Sequence, residues 1–200
     1  MIASLTAEKL ACTRGDKRLF EGLSFRVRAG QALAVEGANG AGKTSLLRMI
    51  AGFLAPSAGR ILVKDAACES DDAEERGRRI GWLGHQDGLK PQLTVAEQLA
   101  FFSRLYGQAA DTAALEEVGL ARQADLPCRY LSAGQRRRLA LARLLSSRRP
   151  LWLLDEPLAP LDTRWRDRLG RLMTAHLKGG GLVIAAVHDP LPIAAREVGL

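Results

Sequence analysis

Residues 37–44 read Gly-Ala-Asn-Gly-Ala-Gly-Lys-Thr, which is the glycine and lysine spacing of a phosphate-binding loop. Glycines here let backbone N–H groups curl around an anion, while Lys43 would neutralise the outer phosphates of a nucleotide. The hydroxyl of Thr44 would bind a magnesium ion. The pattern predicts a nucleoside triphosphate site formed by Gly37, Ala38, Asn39, Gly40, Ala41, Gly42, Lys43, Thr44 and Ser45.

Two apolar segments flank this loop in the order that phosphate binding requires. Residues 31–36 are a short apolar run typical of a buried strand, and residues 43–51 have helical periodicity. This succession would direct the unpaired N–H groups and the positive end of the helix dipole at the phosphates. It favours a nucleotide site over the alternative, a glycine-rich turn with an incidental lysine.

Two adjacent carboxylates follow another apolar run. Residues 151–154 read Leu-Trp-Leu-Leu and lead into Asp155 and Glu156, as at the end of a buried strand. In P-loop ATPases the first acid holds magnesium, and the second polarises the water that attacks the γ-phosphate. Adjacent strand residues point to opposite faces, so both acids reach one site only if the backbone turns, as Pro157 indicates. The alternative is an exposed acidic strand end.

Six motifs then occur in an order that resembles the ATP-binding cassette family over nearly the whole chain. They are Walker A at 37–44, the Q-loop Gln86, a signature sequence at 131–135, Walker B at 155–156, the D-loop at 161–162 and the switch histidine His188. The signature reads Leu-Ser-Ala-Gly-Gln, with Ala133 in place of the usual glycine. Six ordered motifs are far more specific than a single P-loop.

The resemblance implies a fold as well as a site. It predicts one α/β domain over residues 1–200, of the P-loop NTPase class and the cassette ATPase type, with an N-terminal antiparallel β portion. A small helical subdomain at about residues 88–147 would be inserted in the catalytic core and carry the signature. Thr94 and Glu97 form a capping-box pattern in this stretch.

The family mechanism implies that two cassettes pair head to tail, with ATP and Mg²⁺ held between Walker A of one subunit and the signature of the other. Ser132 and the N–H of Gly134 would contact the γ-phosphate across the interface. Gln135 and Asp162 belong to the same nucleotide-binding set. Hydrolysis and phosphate release would separate the subunits and drive a coupled partner.

Three of these residues also admit a plainer interpretation. In the family pattern, Gln86 would join Thr44 and Asp155 in the metal and water shell, and His188 would hydrogen-bond the γ-phosphate. The implied catalytic set is Glu156, His188, Gln86 and Lys43. Taken alone, Gln86 would be an ordinary loop amide and His188 an ordinary strand-end histidine. Ser132 can cap the following helix and bind phosphate as well.

The surface for the adenine departs from the family pattern. Cassette ATPases commonly stack the base on an aromatic residue upstream of Walker A, and the equivalent position here is near Arg14. The planar guanidinium of Arg14 can lie on a purine face, although Phe20 could supply the surface instead.

The formal net charge of +7 raises the question of nucleic-acid binding, particularly with Arg136, Arg137 and Arg138 in succession. This run lies on the predicted signature helix, where its side chains would face solvent or the ATP interface, so no nucleic-acid partner is expected. An anionic cytoplasmic membrane surface is a better partner for basic faces. The chain has neither a segment of about twenty apolar residues nor signal-peptide features, so a cytosolic location is expected.

The chain is similar to the ATP-binding subunits of cytochrome c maturation systems in three features. These are residues 80–94, the sequence Leu-Ser-Ala-Gly-Gln-Arg-Arg-Arg and the short length. The resemblance implies a separate transmembrane permease, a homodimer and a peripheral position on the cytoplasmic face of the inner membrane. ATP hydrolysis would drive haem export or the release of a haem-loaded chaperone, and His85 would be a docking contact rather than a haem ligand. The alternatives are another small ABC exporter and a soluble nucleic-acid or ribosome-associated cassette ATPase.

Overall fold

The computed structural model describes residues 1–109 and 112–200. The strands are β1 (Ile2–Arg14), β2 (Lys17–Arg28), β3 (Ala32–Glu36), β4 (Ala58–Asp65), β5 (Glu69–Ser70), β6 (Ile80–Leu83), β7 (Leu151–Asp155), β8 (Leu182–Ala186) and β9 (Arg196–Gly199). The α-helices are α1 (Lys43–Ile50), α2 (Ala73–Gly77), α3 (Val95–Leu105), α4 (Ala113–Glu117), α5 (Ala133–Ser146) and α6 (Thr163–Lys178). Single 3₁₀ turns occupy Ala121–Gln123 and Cys128–Tyr130.

Five strands form a parallel sheet in the order β6-β7-β8-β3-β9. The inner strands β7, β8 and β3 are almost entirely apolar, which is the composition of strands that are covered on both faces. Alternate residues point into two different cores: Trp152 and Leu154 into one, Leu151 and Leu153 into the other. The strands predicted at 31–36 and 151–154 are thereby confirmed, with small shifts at their ends.

The two cores occupy opposite faces of the parallel sheet. The first contains Leu99 of α3, Leu141 of α5 and Met173 of α6. The second contains Leu47 of α1 and the side chains of the antiparallel sheet, such as Leu5. Because apolar packing holds the sheet from both sides, the carboxyl ends of its strands are fixed relative to one another.

An antiparallel sheet is built from the N-terminal strands in the order β2-β1-β4-β5, which confirms the predicted antiparallel portion. Strands β1 and β2 form a hairpin in which Arg14 pairs with Lys17 across a turn. Gly15 in this turn has a φ angle of +57°, a conformation that glycine adopts without steric cost. The tip of the hairpin extends beside the phosphate-binding loop.

Helices α3, α4 and α5 and the two 3₁₀ turns occupy the described part of residues 95–146. Helix α3 begins with the capping box that the sequence predicts. The N–H of Glu97 donates to the Thr94 hydroxyl at 3.1 Å, and the N–H of Thr94 donates to the Glu97 carboxylate at 2.8 Å. Within residues 1–109 and 112–200, no helix has the length and apolar character that crossing a membrane requires.

Candidate nucleotide-binding and hydrolysis site

The phosphate-binding loop connects β3 to α1. Gly42, the residue before the helix, has a φ angle of +111°. A Cβ atom there would lie 3.1 Å from a ring carbon of Phe20, so the turn favours glycine on both grounds. Nζ of Lys43 donates to the carbonyl oxygens of Gly37 at 2.6 Å and Ala38 at 3.2 Å. The ammonium group therefore lies inside the curve of the loop.

Thr44 at the start of α1 and Asp155 at the end of β7 bring two oxygen-bearing side chains together. The Thr44 hydroxyl donates to the Asp155 carboxylate, with Oγ1 at 3.2 Å from Oδ1 and 3.0 Å from Oδ2. Hydroxyl and carboxylate oxygens suit Mg²⁺, which commonly takes one or two protein ligands and keeps several waters. The donor set therefore fits a magnesium ion beside the phosphate-binding loop.

Asp155 is buried, with 3% of its surface exposed. Burial raises the pKa of its carboxyl group, the hydrogen bond from Thr44 opposes that shift, and the charge of Glu156 adds to it. Removing the carboxylate from water disfavours its charged form, whereas a nearby cation favours it. The electrostatics of this position therefore suit a bound cation.

Glu156 lies where β7 ends and the chain turns. Its φ angle is +49°, a left-handed conformation that residues other than glycine rarely adopt. Its N–H still donates to the carbonyl oxygen of Ala186 at 3.0 Å, so the turn begins while the chain is paired with β8. The sequence predicts a turn here from Pro157, whereas the unusual φ angle is that of Glu156 itself. The turn directs Asp155 and Glu156 towards the same region.

Two histidines flank the carboxylate of Glu156. Nε2 of His188 lies 3.2 Å from Oε1, and Nδ1 of His85 lies 3.6 Å from Oε2. His188 follows β8, where the N–H of Val187 donates to the carbonyl oxygen of Val35 at 3.1 Å. His85 follows β6. The glutamate thus lies between the ends of the strands on either side of its own.

A pocket of about 310 Å³ joins these elements. Its lining residues are Arg14, Leu19, Ala38, Asn39, Gly40, Gly42, Lys43, Thr44, Ser45, Glu156 and His188. Ligand pockets commonly have volumes of about 300–1,000 Å³. The phosphate-binding loop, the glutamate and the histidine therefore surround one cavity, although 144 positions separate Thr44 from His188 in the sequence.

The hairpin tip supplies part of the wall of this pocket. Arg14 at the end of β1 lines it together with Leu19 of β2. Phe20 does not occur among the described lining residues: it is partly buried, packs with the second core and lies against Gly42. Leu19 packs against the same core and also lies against Gly42, so the two residues differ only in that Leu19 lines the pocket.

Ser132 and Asp162 cap helices α5 and α6. The Ser132 hydroxyl accepts from the N–H of Gln135 at 3.2 Å, and the N–H of Ser132 donates to Oε1 of Gln135 at 2.8 Å. The Asp162 carboxylate accepts from the N–H of Trp165 at 2.9 Å. Both capping residues are exposed, and both lie outside the described lining of the nucleotide pocket, as does Gly134. Their own chain therefore leaves these helix ends accessible.

A family comparison decides which class of P-loop protein has this arrangement. A family model described as ABC transporter matches residues 20–159, which include the phosphate-binding loop, the cap of α5 and the two acids at the end of β7. The chain belongs to the ABC transporter family. In the terms of that family, these three segments are Walker A, the signature sequence and Walker B, and the protein is an ATP-binding subunit.

Curated relatives of this ABC subunit match it over nearly their whole length. The cytochrome c biogenesis ATP-binding export protein CcmA of Rhodopseudomonas palustris strain BisB5 is 55% identical over 196 residues, covering 97% of this chain and 96% of the relative. The protein of the same name from Dechloromonas aromatica is 44% identical over 198 residues, covering 97% of each.

Solved structures of ABC proteins have the same fold. A Pyrococcus furiosus protein described as an ABC transporter ATP-binding protein matches with a TM-score of 0.84 and 23% identity, covering 98% of this chain and 97% of that one. A dimeric ATP-binding cassette in a post-hydrolysis state, bound to ADP and Pi, matches with a TM-score of 0.78 and 23% identity, covering 92% and 88%. These matches confirm the predicted α/β P-loop NTPase fold of the ABC type.

The Q-loop of this ABC subunit places His85, rather than Gln86, beside Glu156. Gln86 is exposed and is not among the described residues that line the nucleotide pocket. The side chain of His85 is 72% exposed, yet it approaches the glutamate to 3.6 Å. From the sequence, His85 is expected only as a docking contact or a haem ligand. Its proximity to Glu156 could not be predicted, because it depends on the pairing of β6 with β7.

The arginines of the signature helix do not all face solvent or the ATP interface, so that expectation is wrong for Arg137. Its residue exposure is 2%. Successive helix residues point about 100° apart, so three adjacent arginines face three directions. Arg137 lies on the same stripe as Ala140, Leu141 and Leu144, which are buried in the first core. This 3–4–7 spacing was the signal for its burial. Burial lowers the pKa of the Arg137 guanidinium, and Asp87 opposes the shift.

Proposed function

We propose that this chain hydrolyses ATP to drive a separate membrane permease in c-type cytochrome biogenesis. The observation that carries the proposal is the single pocket shared by Walker A, Glu156 and His188. The relatives named for cytochrome c biogenesis support the pathway, since their similarity extends over 97% of the chain rather than over Walker A alone.

Walker A would bind the phosphates of ATP. Lys43 would exchange its hydrogen bonds to the carbonyl oxygens of Gly37 and Ala38 for the outer phosphates, and the free N–H groups at the start of α1 would add their partial positive charge. Asn39, Gly40, Ala41 and Ser45 complete the loop. The guanidinium of Arg14, with Leu19 beside it, would supply the surface for the adenine.

Thr44 and Asp155 would hold Mg²⁺, with Gln86 joining its shell when ATP binds. The ion would neutralise charge on the β- and γ-phosphates. The chain contributes the fixed position of the two oxygen donors and the buried setting of Asp155, in which a nearby cation is especially favourable.

Glu156 would orient the attacking water and accept its proton, and His188 would donate a hydrogen bond to the γ-phosphate. The 3.2 Å distance between them would let both side chains contact a single group in the pocket that they line. The histidine would then hold the phosphate while the glutamate activates the water.

A second copy of the chain would complete the site. Ser132, Gly134, Gln135 and Asp162 lie outside the pocket of their own subunit, and the exposed N-terminus of α5 offers N–H groups to a phosphate from across an interface. The structural match to a dimeric cassette supports this arrangement. The segment at 88–147 would act as the helical subdomain that carries the signature.

The partner would be a transmembrane permease of a cytochrome c maturation complex, with the chain bound at the cytoplasmic face of the inner membrane. Hydrolysis would drive haem export or release of a haem-loaded chaperone. Nucleic acid is not expected as a partner, since buried contacts account for Arg137 and a cation–π contact with Trp165 engages Arg138.

The hydrolysis step is tested by Glu156→Gln. The variant should bind ATP with near-normal affinity, lose about 10²–10⁴-fold in turnover, and elute as a dimer in the presence of ATP and Mg²⁺. The matched control is Glu116→Gln, an exposed glutamate of α4. Near-normal turnover by Glu156→Gln would remove the glutamate from the proposed role.

The pathway is tested by recovering the tagged chain from gently solubilised native membranes and identifying its partners by mass spectrometry. Recovery of cytochrome c maturation membrane proteins is expected. Recovery of a different permease would retain the ATPase mechanism and refute the pathway. Recovery of ribosomes or DNA would refute the transporter role.

A further inference from the structure

Arg137 is a fully buried arginine beside the hydrolysis site, although it does not line the pocket. Its side chain is 3% exposed and extends from α5 towards the ends of β6 and β7. Burying a guanidinium is costly unless hydrogen bonds and an opposite charge compensate for the lost water. The partners of this side chain therefore indicate its purpose.

The two terminal nitrogens of Arg137 bind two different segments of the site. One donates to the carbonyl oxygen of Gly84 at 2.7 Å and to the carboxylate of Asp87 at 3.2 Å. The other donates to the carbonyl oxygens of Asp155 at 2.8 Å and Glu156 at 2.7 Å. One rigid, planar group thus joins the Q-loop to Walker B.

The second set of contacts holds the strained part of the backbone. The carbonyl oxygen of Glu156 also accepts from the N–H of Ala159 at 3.3 Å, and its φ angle is +49°. An L-residue remains in this conformation only when its surroundings determine it. The guanidinium binds the carbonyl groups on both sides of that angle, so it constrains the turn directly.

The first set of contacts positions a neighbour of the same carboxylate. Gly84 immediately precedes His85, whose Nδ1 lies 3.6 Å from the Glu156 carboxylate. Arg137 therefore fixes the backbone on two sides of that carboxylate. Arg143, further along α5, also donates to the Q-loop, at the carbonyl oxygen of Asp87. The adjacent Arg138 binds elsewhere: it donates to the carbonyl oxygen of Val118 at 2.9 Å and lies over the ring of Trp165.

We propose that Arg137 is a positioning residue for ATP hydrolysis, which holds Glu156 and the Q-loop in register from the signature helix. The proposal rests on the proposed hydrolytic role of Glu156. It also gives α5 a direct mechanical connection to the hydrolysis site: a rotation of the signature helix moves the guanidinium, and with it the backbone on both sides of the glutamate.

The proposal is tested with Arg137→Met, Arg137→Lys and the control Arg138→Met in the full chain. Methionine keeps the apolar stem but has no donor, and lysine has a single nitrogen that cannot reproduce the planar fork. A misplacement of about 1 Å can cost about 10²-fold in rate. We therefore expect kcat to fall roughly 10- to 100-fold for Arg137→Met and less for Arg137→Lys, with the ATP affinity changed less than about 3-fold.

Arg138→Met should lose stability, because it removes a bond to Val118, but keep its kcat within about 2-fold. All rates are measured well below each variant's unfolding temperature. An unchanged kcat for Arg137→Met, or equal losses for Arg137→Met and Arg138→Met, would overturn the proposal. If the unaltered chain hydrolyses no ATP, alone or with its copurified membrane partner, the proposed function fails and this inference fails with it.

Two further readouts separate positioning from a general loss of structure. Combining Arg137→Met with Glu156→Gln should lower the rate no further than Glu156→Gln alone, because the arginine acts through the glutamate. Hydrogen exchange should increase in Arg137→Met at residues 84–88 and 155–159 but not at 37–45. Additive rate losses, or exchange that increases throughout the chain, would refute the positioning role.

Discussion

The left-handed backbone of Glu156 predicts an unusual order of stability between two inactive variants. At most positions a glycine variant of a protein is less stable than the alanine variant, because glycine gives the unfolded chain more conformational freedom. At φ +49° the order should reverse, since a Cβ atom is disfavoured there. Glu156→Gly and Glu156→Ala both remove the carboxylate and its contacts with the two histidines, so their difference isolates the backbone.

The expected size of the difference follows from two opposing terms. A left-handed conformation costs an L-residue about 1–2 kcal/mol. The greater freedom of unfolded glycine offsets about 0.5–1 kcal/mol of that advantage. Glu156→Gly should therefore be the more stable variant by about 0.5–1 kcal/mol. For a chain of 200 residues this corresponds to a Tm higher by about 1–4 °C.

The assay is thermal and urea unfolding of the two variants, followed by circular dichroism. Arg171, exposed in the middle of α6, provides the control: Arg171→Gly should be less stable than Arg171→Ala by about 1 kcal/mol. Opposite signs at the two positions would support the reasoning. If alanine is as stable as glycine at position 156, the strain assigned to this turn is absent. Both Glu156 variants should lack ATPase activity.

Three further outcomes are expected. Lys43→Ala should weaken ATP binding at least tenfold in equilibrium binding assays, since it removes the charge in the phosphate loop; unchanged affinity would contradict the Walker A assignment. Gly42→Ala should lower Tm by several degrees, because φ is +111° and the added Cβ would lie 3.1 Å from Phe20; an unchanged Tm would show that the loop adapts. Asp155→Asn should flatten the pH dependence of urea unfolding. Burial raises the pKa of the Asp155 carboxyl in the folded chain above its ordinary value of 3.8. The contribution of this group to the free energy of unfolding therefore falls as pH rises from 3.8 to the higher folded pKa. Parallel pH profiles of the variant and the unaltered chain would contradict this sign.

The sequence determined much of the site because its signals are local. Glycines and Lys43 between an apolar strand and a helix define a phosphate loop within a short stretch of chain, and the apolar run before Asp155 defines a buried strand. Patterns of this kind depend on backbone conformation and on burial of whole segments. The positions of β3, β7 and α1 could therefore be predicted closely, and the order of the motifs indicated the family.

Only the tertiary structure decided which of the remaining residues reach the site. The pairing of β6 with β7 brings His85 to Glu156, and the hairpin of β1 and β2 brings Leu19, rather than Phe20, to the pocket. The packing of α5 buries Arg137 among backbone carbonyl groups. Each of these contacts joins segments that are distant in sequence, and residue type alone does not reveal such a partner. The sequence by itself determined the chemistry of Walker A and Walker B. Packing around the parallel sheet determined which groups hold Glu156, because those groups come from segments that only the folded chain brings together.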